Sequence, residues 1–139
     1  MILLDTNVLS ALMRSPLDPG VRAWMDRQPE SSIWTTSLTI LELRSGVLLL
    51  PQGRRRAELV AALDAVLAQD IEGRIASFDA AAAEHAAALD VLRRTRGRVT
   101  ELRDTMIAGI ALATKATLAT RNIGHFADLA VPVVNPWEG

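Results

Sequence analysis

The sequence contains no cysteine among its 139 residues, so it has no disulfide framework, no thiolate nucleophile and no cysteine-based zinc site. It also lacks a strong charge of either sign, because 15 basic and 16 acidic residues leave a formal net charge of −1. A nucleic acid would therefore have to bind a local patch rather than a global basic field. No charged-then-apolar leader is visible, and the longest weakly polar run, Met106 to Thr114, is far shorter than a membrane span. These absences predict a cytoplasmic protein that does not contact a membrane.

Apolar residues are plentiful and make up 50% of the chain. This fraction is at the high end for a soluble protein. The length suits one domain over residues 1–139, with a sizeable core. An apolar surplus often ends in a subunit interface, so we expect a homodimer or a hydrophobic partner.

The stretch Leu3–Ser10 organises the rest of the chain. A short apolar run precedes Asp5, and Asp5, Thr6 and Asn7 favour the start of a helix. The pattern predicts a buried strand that ends at an acid and turns directly into a helix. In open α/β sheets, ligands bind just beyond the carboxyl ends of the strands. Asp5 is therefore placed where a ligand would bind.

Strand and helix patterns alternate along the chain. Apolar spacing predicts helices over 6–14, 19–27, 54–69, 80–94 and 103–115, and one more from a cap at Ser37 to Pro51. Short β-branched runs predict further strands over 32–36, 73–78, 117–120 and 131–134. This alternation predicts an α/β fold in three layers, with a mainly parallel five-stranded sheet between helices.

Three further polar residues occupy unusual positions. Glu42 is flanked by apolar residues on the helix that follows Ser37, which is expected to present a broad apolar face that includes Leu41, Leu48 and Leu49. Asp104 opens a helix and shares a face with apolar residues three, four and seven positions later. Asn122 follows the fourth predicted strand. Each has an ordinary alternative: a helix cap for Asp5, a helix-rim acid for Glu42, a favourable helix-dipole contact for Asp104 and a turn for Asn122.

Taken together, Asp5, Glu42 and Asp104 point to a metal site. If three carboxylates lie within ~5 Å, each pair repels by roughly 3 kcal/mol at an effective dielectric constant near 20. A bound divalent cation would convert this repulsion into coordination. Oxygen ligands with few histidines suit Mg²⁺ or Mn²⁺ rather than zinc. Such an ion is suited to cleaving phosphodiesters, because it activates water and stabilises charge on phosphate oxygens.

Four ordered segments also resemble a known family. The chain is similar to the PIN-domain ribonucleases, and most of all to VapC-type toxins of type II toxin–antitoxin systems in the FitB-like branch. The segments span nearly the whole chain and are LLDTNVLS, TTSLTILELRSGV, RDTMIAGIALA, and LATRNIGHF followed by VVNPWE. The resemblance implies a PIN-like α/β/α sandwich and Mg²⁺- or Mn²⁺-dependent cleavage of RNA to a 5′-phosphate and a 3′-hydroxyl.

The resemblance also implies roles for individual residues. Asp5 and Asp104 would ligate the metal, and Glu42 would act through a water or as its base. Asn122 stands at the fourth position, where the family usually has an acid, so one tightly held ion is favoured over two. Glu101 would add an acid only if its helix began early.

Substrate-positioning residues are expected beside these acids. They are Thr6, Asn7, Thr120 and Arg121. Arginine clusters at 54–56 and at 93, 94, 96 and 98 are further candidates for RNA contact, because arginine pairs bidentately with phosphate. For 54–56 we favour an ordinary function, either solvation or neutralisation of helix C-termini. His125 is interpreted as incidental, although it could assist the leaving group.

The resemblance further implies partners. A cognate VapB-type antitoxin would insert an extended or helical tail into a groove of the toxin, and a homodimer would join a larger complex. Two other functions stay open. Asp5-x-Asn7 is similar to the nucleophile loop of haloacid-dehalogenase-type phosphatases, although the second acid is missing and the only lysine, Lys115, lies at a helix end. A non-catalytic PIN-like module that binds RNA or protein is the other alternative, because Asn122 lacks a charge.

Overall fold

A computed structural model describes all 139 residues and places five parallel strands in one sheet, in the order β3-β2-β1-β4-β5. The strands are β1 (Ile2–Leu4), β2 (Ile33–Thr36), β3 (Ile75–Ala76), β4 (Thr117–Ala119) and β5 (Val133–Val134). In the central strand, Leu4 lies opposite Thr35 on one side and Ala119 on the other. The carboxyl ends of β1, β2 and β4 therefore reach the same edge of the sheet. The predicted α/β class is confirmed, and the sheet is entirely parallel.

Helices cover both faces of this sheet. They are α1 (Thr6–Leu12), α2 (Pro19–Asp26), α3 (Ser37–Leu48), α4 (Arg54–Val66), α5 (Ala80–Thr95) and α6 (Leu102–Thr114). Successive residues of a strand point to opposite faces. Leu3 accordingly packs in the apolar cluster built with α5 and α6, whereas Leu4 packs in the cluster built with α1, α2 and α4. The three-layer arrangement follows from this alternation.

Several predicted boundaries differ from the structure. The strand predicted over 73–78 has only two residues, Ile75 and Ala76. The α-helix predicted over 54–69 ends at Val66 and is followed by a π-helical turn over Leu67–Ile71. The predicted cap at Ser37 is wrong, because the Thr36 hydroxyl accepts the Thr39 amide at 3.1 Å. The Ser37 hydroxyl instead accepts the Phe78 amide at 3.2 Å and so ties α3 to the segment after β3.

The apolar face expected on α3 is only partly buried. Leu38 and Val47 enter the core, but Leu41, Leu48 and Leu49 are 56%, 53% and 85% exposed. A helix over a sheet buries one stripe, and these three leucines fall outside it. They leave an apolar surface on α3 that nothing in the chain covers.

No helix is both long enough and apolar enough to cross a membrane.

Helices α5 and α6 pack closely through small side chains. A Cβ added at Gly109 would lie 2.5 Å from the Ala82 carbonyl oxygen and 2.8 Å from the Ala86 Cβ. Because the first neighbour is backbone, it cannot simply rotate away.

We expect Gly109→Ala to lower the free energy of unfolding by roughly 1–3 kcal/mol, as overpacking does, despite the gain of about 1 kcal/mol in helix propensity. Urea unfolding followed by circular dichroism would measure the change. Gly46 of α3 is the matched control, since a Cβ there meets nothing within 4 Å. Gly46→Ala should leave stability unchanged or raise it, and equal effects at both sites would contradict the packing argument.

Candidate active site

Asp5 lies at the point where β1 ends and α1 begins. Its Oδ1 accepts the Thr6 amide at 2.8 Å, so it caps α1, and its Oδ2 accepts the Thr120 hydroxyl at 2.7 Å. The residue is only 5% exposed. Burial raises the pKa of Asp5, the Thr120 and Thr6 hydrogen bonds oppose this shift, and the charges of Asp104 and Glu42 raise the pKa further. Asp5 is thus both a helix cap and a buried carboxyl group in a negative potential.

Glu42 reaches the same region from α3. Three threonine hydroxyls join the starts of α1 and α3, with Thr39 lying 3.4 Å from Thr6 and 3.3 Å from Thr36. Glu42 lies three residues after Thr39 and therefore on the same helix face. Its Oε1 pairs with Nη1 of Arg103 at 2.9 Å.

Asp104 lies in the first turn of α6, where the positive end of the helix dipole favours an acid. Its Oδ2 is 3.0 Å from Nδ1 of His125, which comes from the 3₁₀ turn Ile123–Phe126. Sequence reasoning interpreted His125 as incidental, but the structure places it directly against Asp104.

Asn122 lies just beyond β4, and its side chain is exposed. Its backbone amide donates to the Thr120 hydroxyl at 3.0 Å. The Thr120 oxygen is also 3.4 Å from Nδ2 of Asn7, and Oδ1 of Asn7 accepts the Arg121 amide at 3.0 Å. The polar residues after β1 and β4 thus form one hydrogen-bonded group.

One cavity of about 480 Å³ unites these residues, and we call it the acidic cavity. Its acids come from β1, α3 and the start of α6, which are far apart in sequence but meet at the carboxyl edge of the sheet. Its polar lining comprises Asp5, Thr6, Asn7, Ser10, Glu42, Glu101, Arg103, Asp104, Asn122 and His125. The structure therefore brings together Asp5, Glu42, Asp104 and Asn122, and it adds Glu101, which immediately precedes α6.

The donor atoms of the acidic cavity are of the type that a hard divalent cation prefers, because they are carboxylate and amide oxygens. As the side chains stand, no three acidic, histidine or cysteine groups are grouped closely enough to hold an ion. Glu42 is turned towards Arg103 and Asp104 towards His125. Each of these pairs engages one oxygen of its carboxylate, and the acids would have to move closer together to coordinate one ion.

Two functional neighbours were missed from the sequence. The position of Arg103 could have predicted an acidic partner, because an unpaired basic residue in the first turn of a helix is unfavourable with the helix dipole. The position of Thr39 could have predicted its contact with Thr36, because a capping side chain bonds to the residue three positions later.

The proposed RNA contact by Arg93 is wrong. Arg93 is 1% exposed, and its Nε and Nη2 each donate to Asp128 at 2.9 Å. Its Nη2 also donates to the His125 carbonyl at 3.1 Å, so this arginine braces the turn that carries His125. Arginines 54–56 lie in the first turn of α4, so they do not neutralise the C-terminus of that helix.

Comparison with known proteins identifies the class to which this fold and acidic cavity belong. The family model described as PIN domain matches residues 2–132, and the chain belongs to the PIN-domain family. It is 38% identical to the plasmid stability protein StbB of Pseudomonas syringae pv. tomato, 35% identical to the VapC ribonuclease Y4jK of Sinorhizobium fredii and 36% identical to the toxin FitB of Neisseria gonorrhoeae. Each alignment covers 99% of both chains.

Solved structures agree with this assignment. The crystal structure of FitAcB from Neisseria gonorrhoeae matches with a TM-score of 0.84 and 35% identity over 100% of both chains. A member of the VapBC family of toxin-antitoxin systems, VapBC-5 from Mycobacterium tuberculosis, matches with a TM-score of 0.69 and 26% identity over 96% of both chains.

Proposed function

We propose that this protein is a metal-dependent endoribonuclease and the toxin of a type II toxin–antitoxin system. The observation that carries the proposal is the acidic cavity, in which Asp5, Glu42, Glu101 and Asp104 face one space at the carboxyl edge of the sheet. Such a cluster has no evident value for stability, because burial and like charges both raise the pKa of Asp5. The relatives named as a ribonuclease and as a toxin support the same function.

Asp5 and Asp104 are the residues we propose to hold Mg²⁺ or Mn²⁺, with Asn122 offering a neutral oxygen. When bound, the ion would supply an activated water and would stabilise charge on the phosphate oxygens. Thr120 and the Thr6 amide fix the orientation of Asp5 through their hydrogen bonds. The uncharged Asn122 favours one tightly held ion over two.

Glu42 is proposed to turn away from Arg103 and to accept the proton of the attacking water. The water oxygen bonds to phosphorus, the bond from phosphorus to the ribose O3′ breaks, and O3′ takes up a proton from solvent, so the products are a 5′-phosphate and a 3′-hydroxyl. Thr6, Asn7, Thr120 and Arg121 position the substrate or its waters. Arg103 is released near the phosphate as Glu42 turns away, and we propose that it then contacts a phosphate oxygen.

Removal of the metal should abolish cleavage of single-stranded RNA. We expect excess chelator to stop the reaction, and added Mg²⁺ or Mn²⁺ to restore it. The metal should also raise the melting temperature, since an ion at one hundred times its Kd stabilises the folded state by about 2.7 kcal/mol. Sequencing of the RNA ends would detect cleavage, and thermal melts with chelator and with added metal would measure the change in melting temperature. Cleavage that persists in chelator, or a phosphoenzyme trapped on Asp5, would contradict the proposal.

We further propose a VapB-type antitoxin as the partner that restrains this activity. A groove of about 800 Å³ between α1, α3 and α4 shares Thr6, Ser10, Glu42 and Leu43 with the acidic cavity. A bound tail could therefore reach the acids. The structural relative described as a toxin-antitoxin system supports this partner, and the exposed leucines of α3 supply apolar surface for it or for a homodimer. Expression of the protein alone should inhibit growth, and co-expression with a VapB-type antitoxin should relieve this inhibition.

A further inference from the structure

A second cavity, of about 380 Å³, adjoins the acidic cavity and is bordered by two arginines, Arg14 and Arg121. We call it the basic cavity. Asn7 and Ser10 line both cavities, so the two spaces are neighbours. Asn7, Ser10 and Arg14 are spaced by three and four residues, which places them along one side of α1 and the turn that follows.

Hydrogen bonds fix the basic cavity relative to the acids. Asn7 Nδ2 lies 3.4 Å from Oδ2 of Asp5, and the opposite end of the same amide accepts the Arg121 backbone N–H at 3.0 Å. The side chain of Asn7 thus links the carboxylate of Asp5 to the backbone of Arg121.

The Arg121 guanidinium lies over the ring of Trp137, 4.5 Å from its centroid. The backbone amide of Trp137 is held in turn by Oδ1 of Asn135 at 3.0 Å. A cation–π contact of this kind orients a guanidinium while leaving its N–H edge available to an anion.

Neither arginine of the basic cavity is neutralised by an acid. None of the ion pairs in the structure includes Arg14 or Arg121. The one acid that lines the cavity, Asp18, caps α2 and accepts the Gly20 and Val21 amides at 2.9 and 3.2 Å. The charge of Asp18 is therefore stabilised by backbone amides, and the two guanidinium groups are free to bind an anion.

We propose that the basic cavity binds the phosphate next to the scissile one in a single-stranded RNA, through Arg14 and Arg121, and that Trp137 positions Arg121. This inference rests on the proposed nuclease function. An RNA strand repeats its phosphates, so a chain whose scissile phosphate occupies the acidic cavity must place another phosphate close by. The basic cavity lies beside the acidic cavity and carries the matching charge.

Phosphate neutralisation tests the inference. A short RNA around a bond that the wild-type protein cleaves is synthesised with one uncharged methylphosphonate at a time on either side of that bond. In the wild type, a methylphosphonate at one of these linkages should lower kcat/KM by about ten-fold, as expected for the loss of a hydrogen bond to a charged group. Arg14→Ala and Arg121→Ala should each cleave the parent RNA about ten-fold more slowly and lose most of this sensitivity, because the contact is already absent.

Trp137 is tested as a positioning residue. Trp137→Leu should raise KM with little change in kcat, and Trp137→Phe should restore KM, because a ring again supports Arg121. Arg22→Ala is the matched control: it removes the same charge at a separate cavity, beside Ile33 where β2 begins. This control should keep both the wild-type rate and the wild-type sensitivity.

Binding measured in chelator separates this inference from the nuclease proposal. Fluorescence anisotropy with a labelled, mixed-sequence single-stranded RNA should give a salt slope that falls by about 0.7 for each arginine removed. A wild type that binds in this way but cleaves nothing would contradict the nuclease function and leave the basic cavity supported. Unchanged methylphosphonate sensitivity in the variants, or a loss confined to antitoxin binding, would overturn the inference.

Discussion

Asp5→Asn is expected to lower kcat/KM for RNA cleavage by roughly a thousand-fold, since several kcal/mol of charge stabilisation on the phosphate depend on a correctly held ion. Asparagine keeps the shape of the side chain and can still accept the Thr6 amide that caps α1. The variant therefore removes the charge without removing the cap. Cleavage of single-stranded RNA at saturating Mg²⁺ or Mn²⁺ would measure the loss.

The same variant should fold at least as stably as the wild type in metal-free buffer. Burial raises the pKa of Asp5 above its ordinary value of 3.8, so ionising this carboxyl group opposes folding. The stability associated with protonated Asp5 is present below pH 3.8 and is lost as the pH rises through the raised pKa. The advantage of Asp5→Asn should therefore be larger at pH 7 than at pH 3.5, as urea unfolding at both pH values would show.

Matched variants separate the acidic cavity from general charge effects. Asp104→Asn should abolish cleavage in the same way, whereas Asp26→Asn changes an exposed acid at the end of α2 and should preserve it. Wild-type cleavage by Asp5→Asn would contradict the proposed role of Asp5 in holding the ion, whereas unchanged growth inhibition on expression of this variant would favour the non-catalytic binding module. A strongly destabilised Asp5→Asn would instead show that the carboxylate has a structural role.

Much of the fold follows from local pattern. The run Ile2–Leu4 is apolar on both sides and becomes the central strand, because only a strand covered on both faces buries two successive leucines. The local predictions that were wrong concern residues whose roles depend on tertiary contacts. Thr36 rather than Ser37 caps α3, since both hydroxyls suit a cap and the choice depends on the hydrogen bond of Ser37 with Phe78, which follows the neighbouring strand β3.

The candidate site was accessible from the sequence in part. Asp5 at a strand end, Asp104 at a helix start and Glu42 between apolar neighbours were the predicted site acids, and the structure places them around one cavity. The pairing of Glu42 with Arg103 and of Asp104 with His125 was not accessible, since each pair joins separate elements. Arg93 was misassigned for a related reason: it lies in an arginine-rich stretch, and only the position of Asp128 makes it a buried residue.

Arg93→Met is the second variant with a large expected effect, a loss of about 3 kcal/mol in the free energy of unfolding. Methionine replaces the buried alkyl chain but leaves Asp128 with Arg98 alone, 3.1 Å away. The Arg93 hydrogen bond lowers the pKa of Asp128, so the pair stabilises the fold above pH 3.8 and loses this effect as the pH falls through the lowered pKa. Wild-type stability should thus fall more steeply than that of Arg93→Met on acidification below pH 3.8.

The double variant Arg93→Met/Asp128→Asn should recover part of the loss, because it removes the carboxylate left without its main partner. Arg94→Met is the control, since its pair with Asp90 is exposed and worth at most about 1 kcal/mol. Arg93 also donates to the His125 carbonyl, so its loss should loosen the turn beside Asp104 and weaken metal binding at temperatures where the protein stays folded. Calorimetric titration with Mn²⁺ would detect this. An unchanged affinity would show that Arg93 supports the core alone, whereas a weakened affinity would connect the buried pair to the acidic cavity.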